Sequence, residues 1–257
     1  MEKQKVKIKV DGRDFEVSGG QKVLEALWSL KFDIPAMCYH PRTAPFGGCR
    51  LCIVEIDGIR GLPPSCTIDV QEGMVIRTDT PSIHQVRKMV TELLLASGEH
   101  HCMTCEMNGV CTLQKLAYQY GIEKPRFTFD KPPQAPPDDN PFIIRDYSKC
   151  VLCGRCVRVC NQVQRQGAIS FVHRGFKARV ATVADAPLLE SECLMCGNCV
   201  QACPTGALTY RKARFKGREF ELEKVRTTCP YCGCGCQMIL SVKDGQVVKI
   251  EADEEHG

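Results

Sequence analysis

Two stretches with the same cysteine rhythm dominate the sequence: CVLCGRCVRVC at 150–160 and CLMCGNCVQAC at 193–203. Each reads C-x2-C-x2-C-x3-C, and Pro204 follows the second. Three thiolates at positions i, i+3 and i+6 can enclose one compact inorganic core, whereas the fourth cysteine of each stretch points away from it. Structural zinc usually draws on two separated cysteine pairs that close a four-ligand shell. The doubled rhythm therefore favours iron–sulfur clusters over zinc.

The doubled rhythm resembles two-cluster ferredoxins, in which the fourth cysteine of each run ligates the other cluster. By that resemblance two [4Fe–4S] centres are expected, with the ligand sets Cys150, Cys153, Cys156 and Cys203, and Cys193, Cys196, Cys199 and Cys160. The halves are unequal, because Asn161 stands where proline is expected and an insert at 162–189 separates them. We predict a ferredoxin-like domain over 142–210, with strands near 168–172 and 178–183 inside the insert.

The composition narrows the class of protein. A chain of 257 residues predicts two or three small domains rather than one large core. Nineteen cysteines fit a disulfide-rich secreted protein, but here they cluster at metal-ligand spacing, and the opening MEKQKVKIKV lacks the apolar core of a secretory signal. No apolar run is long enough to cross a bilayer, so we expect no membrane insertion and a cytoplasmic location.

The charge balance says little about partners. The formal net charge is +4, from 34 basic and 30 acidic residues, and bound clusters with four thiolates each add about −2. No basic stripe interleaved with aromatic residues accompanies the lysines and arginines, so we expect no nucleic-acid binding.

Residues 1–80 predict a β-grasp domain. Residues 6–10 and 13–17 alternate around Asp11-Gly12, a hairpin signal, and 21–30 carries one apolar helical face. Loops rich in glycine and proline follow, and their backbone amides are free to point at sulfur. In these loops we expect a [2Fe–2S] cluster held by Cys38, Cys49, Cys52 and Cys66.

The spacing of these four cysteines departs from the plant type, with ten residues instead of four between the first two. This spacing resembles the N-terminal [2Fe–2S] domain shared by the large iron–sulfur subunit of respiratory complex I, iron-only hydrogenases and NAD-dependent formate dehydrogenases. A Rieske centre would need a second histidine near Cys52, and none is there. His40 is therefore expected to be an ordinary loop residue.

Residues 81–126 predict a small helical domain. A helix is expected to begin at Thr80-Pro81 and to end near Gly98, with His84 exposed. Its buried stripe is predicted to be Ile83, Val86, Val90 and Leu93. A second short amphipathic helix is predicted from Leu113, Leu116, Ala117 and Tyr120.

Between these helices lies EHHCMTCEMNGVC, which contains three cysteines and two histidines. It resembles the [4Fe–4S] centre with one histidine and three cysteine ligands in the same families, and the ligands implied are His100, Cys102, Cys105 and Cys111. Many members place the histidine four residues before the first cysteine, where this sequence has Gly98. We prefer His100 to His101, because His101 is bonded directly to Cys102. The alternative is that neither histidine is a ligand.

The remaining segments are a linker and a C-terminal motif. Residues 127–141 are rich in proline and acid and predict a linker. Residues 226–257 open with TTCPYCGCGC and resemble the start of a molybdenum- or tungsten-pterin oxidoreductase domain, with a hairpin at Asp244-Gly245. That family completes a [4Fe–4S] centre with a later cysteine. The set Cys229, Cys232 and Cys236 is thus incomplete: Cys234 substitutes, a neighbouring chain contributes, or no cluster forms.

The order of the motifs predicts an α+β protein whose function is electron transfer. As a whole it most resembles the N-terminal iron–sulfur region of the alpha subunit of NAD(P)-dependent formate dehydrogenases. The resemblance implies one [2Fe–2S] and three [4Fe–4S] clusters, and a fourth [4Fe–4S] if the C-terminal set is completed. The implied partners are a flavin- and NAD(P)-binding iron–sulfur subunit and a formate dehydrogenase or hydrogenase catalytic subunit, with no catalytic site in this chain. The alternatives are part of a split or truncated catalytic subunit and a structural zinc-binding interaction module.

Overall fold

The computed structural model describes residues 4–129 and 140–254, and the chain separates into two compact units. The first unit consists of Met1–Ser97, Leu116–Phe129 and Cys153–Arg155, and the second of Gly98–Lys115, Asp130–Leu152 and Cys156–Gly257. The segment 81–126, expected as one domain, is divided between them. Residues 130–139 of the expected linker lie outside the described residues. Within the described residues no helix is both long enough and apolar enough to span a membrane.

The first unit contains a β-grasp arrangement of four strands and a helix. Its elements are β1 (Lys5–Val10), β2 (Arg13–Ser18), α1 (Val23–Ser29), β3 (Glu55–Ile56), β4 (Val75–Arg77) and α2 (Pro81–Ala96). The sheet order is β2-β1-β4-β3, with β1 parallel to β4 and the other neighbours antiparallel. The predicted hairpin and the helix that follows it are confirmed.

The hairpin forms because its turn residues accept left-handed backbone angles. Asp11 and Gly12 have φ of 47° and 83°, as the mirror-image turn of a two-residue hairpin requires. The strands then turn Ile8 and Val10 inward against Leu24 of α1, and all three are buried. Each such aliphatic side chain contributes roughly 1.5–3 kcal/mol on burial. This core fixes the end of the sheet from which the cysteine loops emerge.

Helix α2 begins as predicted but buries a different face. Thr80 caps it by accepting a hydrogen bond from the Ile83 amide (3.3 Å), and Pro81 occupies the first turn. The apolar stripe predicted through Leu93 is wrong beyond Ile83, because Leu93 is exposed and the buried positions include Arg87 and Glu92. These polar side chains are buried with partners: Arg87 donates to loop carbonyls, and Glu92 accepts from the returning chain. Such partners lie far away in sequence, so periodicity does not reveal them.

From Thr112 onward the elements are short. They are α3 (Thr112–Gln119), β5 (Ile143–Arg145), α4 (Arg155–Arg158), β6 (Ser170–Val172), β7 (Arg179–Ala181), α5 (Asn198–Ala202), β8 (Leu208–Tyr210), β9 (Glu223–Thr228), β10 (Gln237–Lys243) and β11 (Gln246–Ala252). Antiparallel pairing joins β5 to β8 and β6 to β7, and β9 to β11 form a three-stranded meander. The strands predicted in the insert and the hairpin at 244–245 are confirmed.

The core of the ferredoxin-like part of the second unit is small and lies among the cysteines. Its buried residues are Ile143, Val157, Ile169, Val180, Leu188, Val200 and Leu208, and Cys156, Cys160, Cys193, Cys199 and Cys203 pack against them. A core of this size contributes little stability on its own. Ligand binding by the cysteines is therefore expected to stabilise the fold as well as to provide a functional site.

Candidate iron–sulfur centres

The four cysteines expected to hold a [2Fe–2S] cluster come together in the first unit. Cys38, Cys52 and Cys66 are buried and Cys49 is half-buried. The Cys49 amide donates to the Cys38 sulfur at 3.5 Å. The Ser65 amide and hydroxyl both donate to the Cys52 carbonyl, at 2.9 and 2.6 Å, which fixes the turn carrying Cys66. Backbone donors and turn contacts therefore place four sulfurs in one loop cluster.

Hydrogen bonds among these thiols shift the acidity of each one. The thiols of Cys49 and Cys66 donate to the Cys38 sulfur and lower the pKa of Cys38 to about 2. The same interaction with Cys38 raises the pKa of Cys49 and of Cys66. A hydrogen bond from Cys66 lowers the pKa of Cys52 to about 7. The loop thus stabilises a thiolate, which is the form of cysteine that binds metal.

The structure distinguishes the two histidines beside the next cysteine group. His101 is exposed, whereas the Nε2 atom of His100 is buried. An ideal Cβ built at Gly98 would lie 3.2 Å from His100 Nε2 and only 2.1 Å from the Ser148 carbonyl oxygen. The His100 ring therefore turns back toward position 98, where the resembling families carry their histidine. Position 98 itself has no room for a side chain.

The three cysteines of this group lie on a short turn and at the start of α3. Cys102, Cys105 and Cys111 interact electrostatically, and burial raises the pKa of Cys102 and of Cys111. Residues that follow Cys203 pack against them: the Thr112 amide donates to the Pro204 carbonyl (3.0 Å), and a Cβ at Gly206 would lie 2.4 Å from Cys105 Sγ. A glycine at 206 leaves the Cys105 sulfur the space it occupies.

The two ferredoxin-like halves share an unusual backbone that the cysteine spacing does not reveal. In the first half Leu152 and Gly154 have φ of 52° and 73°, and in the second Met195 and Gly197 have φ of 53° and 77°. A side chain at such an angle costs about 1–2 kcal/mol. Successive left-handed residues turn backbone amides toward one point, an arrangement that binds anions and iron–sulfur clusters. Nothing in the sequence at Leu152 or Met195 signals this conformation.

Small cavities lie beside both sets of cysteines. One of about 30 Å³ is lined by Cys160, Cys193, Cys196 and Cys199, which is the complete second set. Another, of about 40 Å³, is lined by Cys150, Cys156 and Cys199. The structure also brings Cys150 into electrostatic contact with Cys203, and Cys153 is half-buried in the loop between Leu152 and Gly154.

Burial makes these cysteines unfavourable sites for negative charge unless a cation is bound. Desolvation raises the pKa of Cys150 to about 11 and that of Cys199 to about 12. Ligation by iron deprotonates a thiol and offsets the loss of solvation. The donors, the cavities and the amide-rich turns therefore fit iron–sulfur clusters. Among residues 4–129 and 140–254, no group of three or more His, Cys, Asp or Glu side chains is arranged to hold a single metal ion.

The C-terminal cysteine loop differs from the other groups. The Cys229 amide donates to the Cys236 carbonyl at 2.8 Å and closes the loop at the base of β9 and β10. Cys232, Cys234 and Cys236 are exposed. Hydrogen bonds from the amide and thiol of Cys234 lower the pKa of Cys232, so the structure brings Cys234 to Cys232. Three of the four sulfurs in this loop are thus open to solvent.

Four family models match consecutive parts of the chain. A 2Fe-2S iron–sulfur cluster binding domain matches residues 3–81, and an NADH-ubiquinone oxidoreductase-G iron–sulfur binding region matches 87–126. The ferredoxin-like domain of NADH-quinone oxidoreductase subunit 3 matches 140–209, and the molybdopterin oxidoreductase Fe4S4 domain matches 222–257. The fold and these matches together define an iron–sulfur protein with one [2Fe–2S] domain and several [4Fe–4S] binding domains.

The chain belongs to the family of N-terminal iron–sulfur regions found in NADH-quinone oxidoreductase-G and in related NADP-reducing hydrogenase subunits. It is similar to NADH-quinone oxidoreductase-G 2 of Rhizobium meliloti, with 37% identity over 98% of this chain and 29% of that protein. The NADP-reducing hydrogenase subunit HndD of Solidesulfovibrio fructosivorans is 39% identical over 78% of this chain and 35% of that protein. The chain spans about a third of the length of these curated relatives.

A solved structure shows the same fold over most of the chain. A chain in the crystal structure of NAD+-reducing [NiFe]-hydrogenase in the H2-reduced state superposes with a TM-score of 0.75 at 32% identity. The match covers 82% of this chain and 90% of the hydrogenase chain. None of these relatives is named as a formate dehydrogenase, so that finer assignment stays a prediction from the sequence motifs.

Proposed function

We propose that this chain is a multi-cluster electron-transfer region that holds one [2Fe–2S] and three [4Fe–4S] clusters. The observation that carries the proposal is the grouping of cysteines in the fold: four sulfurs in the first unit, and a cavity lined by a complete four-cysteine set in the second. When bound, such clusters supply one-electron transfer. The proposed ligands are the four sets named from the sequence, with His100 as the non-cysteine ligand.

The chain's own residues give the clusters their environment. Backbone donors reach sulfur at Cys38 and Cys111, and burial at Cys150 and Cys199 keeps water away. Hydrogen bonds to sulfur and exclusion of solvent are the means by which a protein adjusts cluster potential. The protein therefore positions the clusters and sets their potentials, and we propose no substrate-binding catalytic site in it.

The proposed partners follow from the resemblance and from the relatives. The relatives are named as subunits of NADH-, NADPH- and NADP-linked oxidoreductases. We infer that electrons pass between a flavin- and NAD(P)-binding iron–sulfur subunit and a catalytic partner that oxidises formate or hydrogen. We place the complex in the cytoplasm, because the nineteen cysteines are free thiols at ligand spacing rather than disulfides.

A second candidate function rests on the C-terminal segment. The match of residues 222–257 to a molybdopterin oxidoreductase Fe4S4 domain favours a chain that is the N-terminal part of a formate dehydrogenase catalytic subunit. In that case the Cys229–Cys236 loop receives its fourth ligand from residues beyond this sequence. Sequencing the adjacent reading frame decides between the two: a pterin-binding body continuous with residue 257 supports the second candidate.

The proposal is tested by iron and acid-labile sulfide analysis of anaerobically purified protein. We expect brown protein with about 14 iron atoms per chain, which is the sum for one [2Fe–2S] and three [4Fe–4S] clusters. Fewer than about ten iron atoms per chain would contradict the four-cluster count. Colourless protein containing zinc would support the structural zinc module instead.

A further inference from the structure

Arg87 of α2 is a buried arginine that contacts the loop of the expected [2Fe–2S] centre. It is 5% exposed. Its Nε donates to the Leu51 carbonyl (3.0 Å) and its Nη2 donates to the Ile53 carbonyl (2.8 Å). These two carbonyls flank Cys52, so one guanidinium spans the peptide units on both sides of a proposed ligand. The planar fork of arginine fits this two-carbonyl contact, and the single ammonium of lysine does not reproduce it.

The charge of Arg87 lacks a carboxylate in direct contact. A guanidinium stays protonated in proteins, and a buried charge is unfavourable unless an opposite charge lies close. Within the described part of the chain, Arg87 forms no ion pair with Asp or Glu, and both of its carbonyl acceptors are neutral. Desolvation is the main cause that lowers the pKa of Arg87, and the groups that partly offset it are Tyr120, Cys52 and Asp79.

Arg77 provides the contrast within the same unit. Its side chain is about half exposed, and it pairs with Glu55 (3.2 Å) and Asp57 (2.5 Å), which raise its pKa. The unit thus neutralises an exposed arginine with two carboxylates and leaves a buried one without an ion pair. A [2Fe–2S] core with four thiolates carries about −2 when oxidised and about −3 when reduced. That is the missing opposite charge, and it grows by one unit on reduction.

We propose that Arg87 is a positioning residue and the buried counter-charge of the [2Fe–2S] centre. Its hydrogen bonds fix the backbone on both sides of Cys52, and its charge favours the reduced cluster and so raises the midpoint potential. This inference rests on the proposed ligand set Cys38, Cys49, Cys52 and Cys66. It assigns to α2, which carries no ligand of this cluster, a role in setting the cluster's potential.

The test is a redox titration of the anaerobically purified full chain, followed by low-temperature electron paramagnetic resonance. Arg87→Gln removes the charge, Arg87→Lys keeps it, and Arg77→Gln is the matched control at an exposed arginine. At the midpoint potential of the wild type, the ratio of reduced to oxidised [2Fe–2S] is expected to fall about tenfold in Arg87→Gln, a shift of about −59 mV for one electron. Arg87→Lys should recover most of this shift, and Arg77→Gln should show none.

An unchanged [2Fe–2S] potential in Arg87→Gln would overturn the inference, as would an equal shift in Arg77→Gln. If Arg87→Gln loses the [2Fe–2S] signal, Arg87→Lys decides. Retention of the signal near the wild-type potential supports the counter-charge, and loss from both variants overturns it. Absence of the signal from the wild type would instead contradict the cluster assignment, so the two failures are distinguishable.

Discussion

The histidine ligand gives the sharpest prediction, because the structure separates two adjacent candidates and explains an unusual glycine. We expect His100→Ala to lose the [4Fe–4S] centre of Cys102, Cys105 and Cys111, since the buried Nε2 of His100 is the proposed ligand atom. We expect His101→Ala, the matched control, to keep it, because His101 is exposed.

The double variant Gly98→His/His100→Ala moves the imidazole to the position common in the resembling families. A Cβ at residue 98 would lie 2.1 Å from the Ser148 carbonyl oxygen, which already accepts the Glu99 amide at 2.8 Å. Relief of this clash requires a backbone shift of about 1 Å, with an overpacking cost of roughly 1–3 kcal/mol. Loss of the Glu99 hydrogen bond adds roughly 0.5–1.5 kcal/mol. The relocated histidine therefore should not restore the centre.

The assay is spin quantification of the [4Fe–4S] signals in the reduced wild type and in each variant. Gly98→Ala is measured in parallel by denaturant unfolding and should be destabilised by about 2–4 kcal/mol, since its methyl group meets the same oxygen. A double variant with wild-type cluster content would refute the steric reasoning. Loss of the centre from His101→Ala, with retention in His100→Ala, would refute the ligand choice.

Two further predictions concern the backbone around the cysteines. Leu152→Gly and Met195→Gly should keep their clusters and raise the free energy of unfolding by about 1 kcal/mol, because glycine adopts the left-handed angle without strain; a lower stability measured by denaturant unfolding would contradict this. Gly206→Ala should reduce the spin intensity of the centre that includes Cys105, because its methyl group would lie 2.4 Å from Cys105 Sγ; unchanged intensity of that signal would show that the sulfur has room to move.

Local signals in the sequence predicted local structure well. The Asp-Gly pairs at 11–12 and 244–245 predicted hairpins, because few residues adopt the positive φ angles of a two-residue turn and both pairs do so here. The short helix after Cys111 was predicted with its buried face, since Leu113, Leu116, Ala117 and Tyr120 follow the helical period and are buried. The cysteine spacings likewise identified the groups of sulfurs that the fold brings together.

Features that depend on distant partners were not predictable. The buried face of α2 is polar because Arg87 and Glu92 find their partners at 51–53 and 126, far away in sequence. Strand β9 was missed because its residues are mostly polar and exposed, and only pairing with β10 makes them a strand. The left-handed angle at Met195 is imposed by the turn around the cysteines, against the preference of its side chain.

One measurement tests the central claim most directly: a low-temperature electron paramagnetic resonance spectrum of the anaerobically reduced wild-type protein with quantified spins. The account predicts one [2Fe–2S] signal that persists at higher temperature and fast-relaxing [4Fe–4S] signals that together integrate to about three spins per chain. A reduced sample without these signals would contradict the claim that this fold is built around bound iron–sulfur clusters.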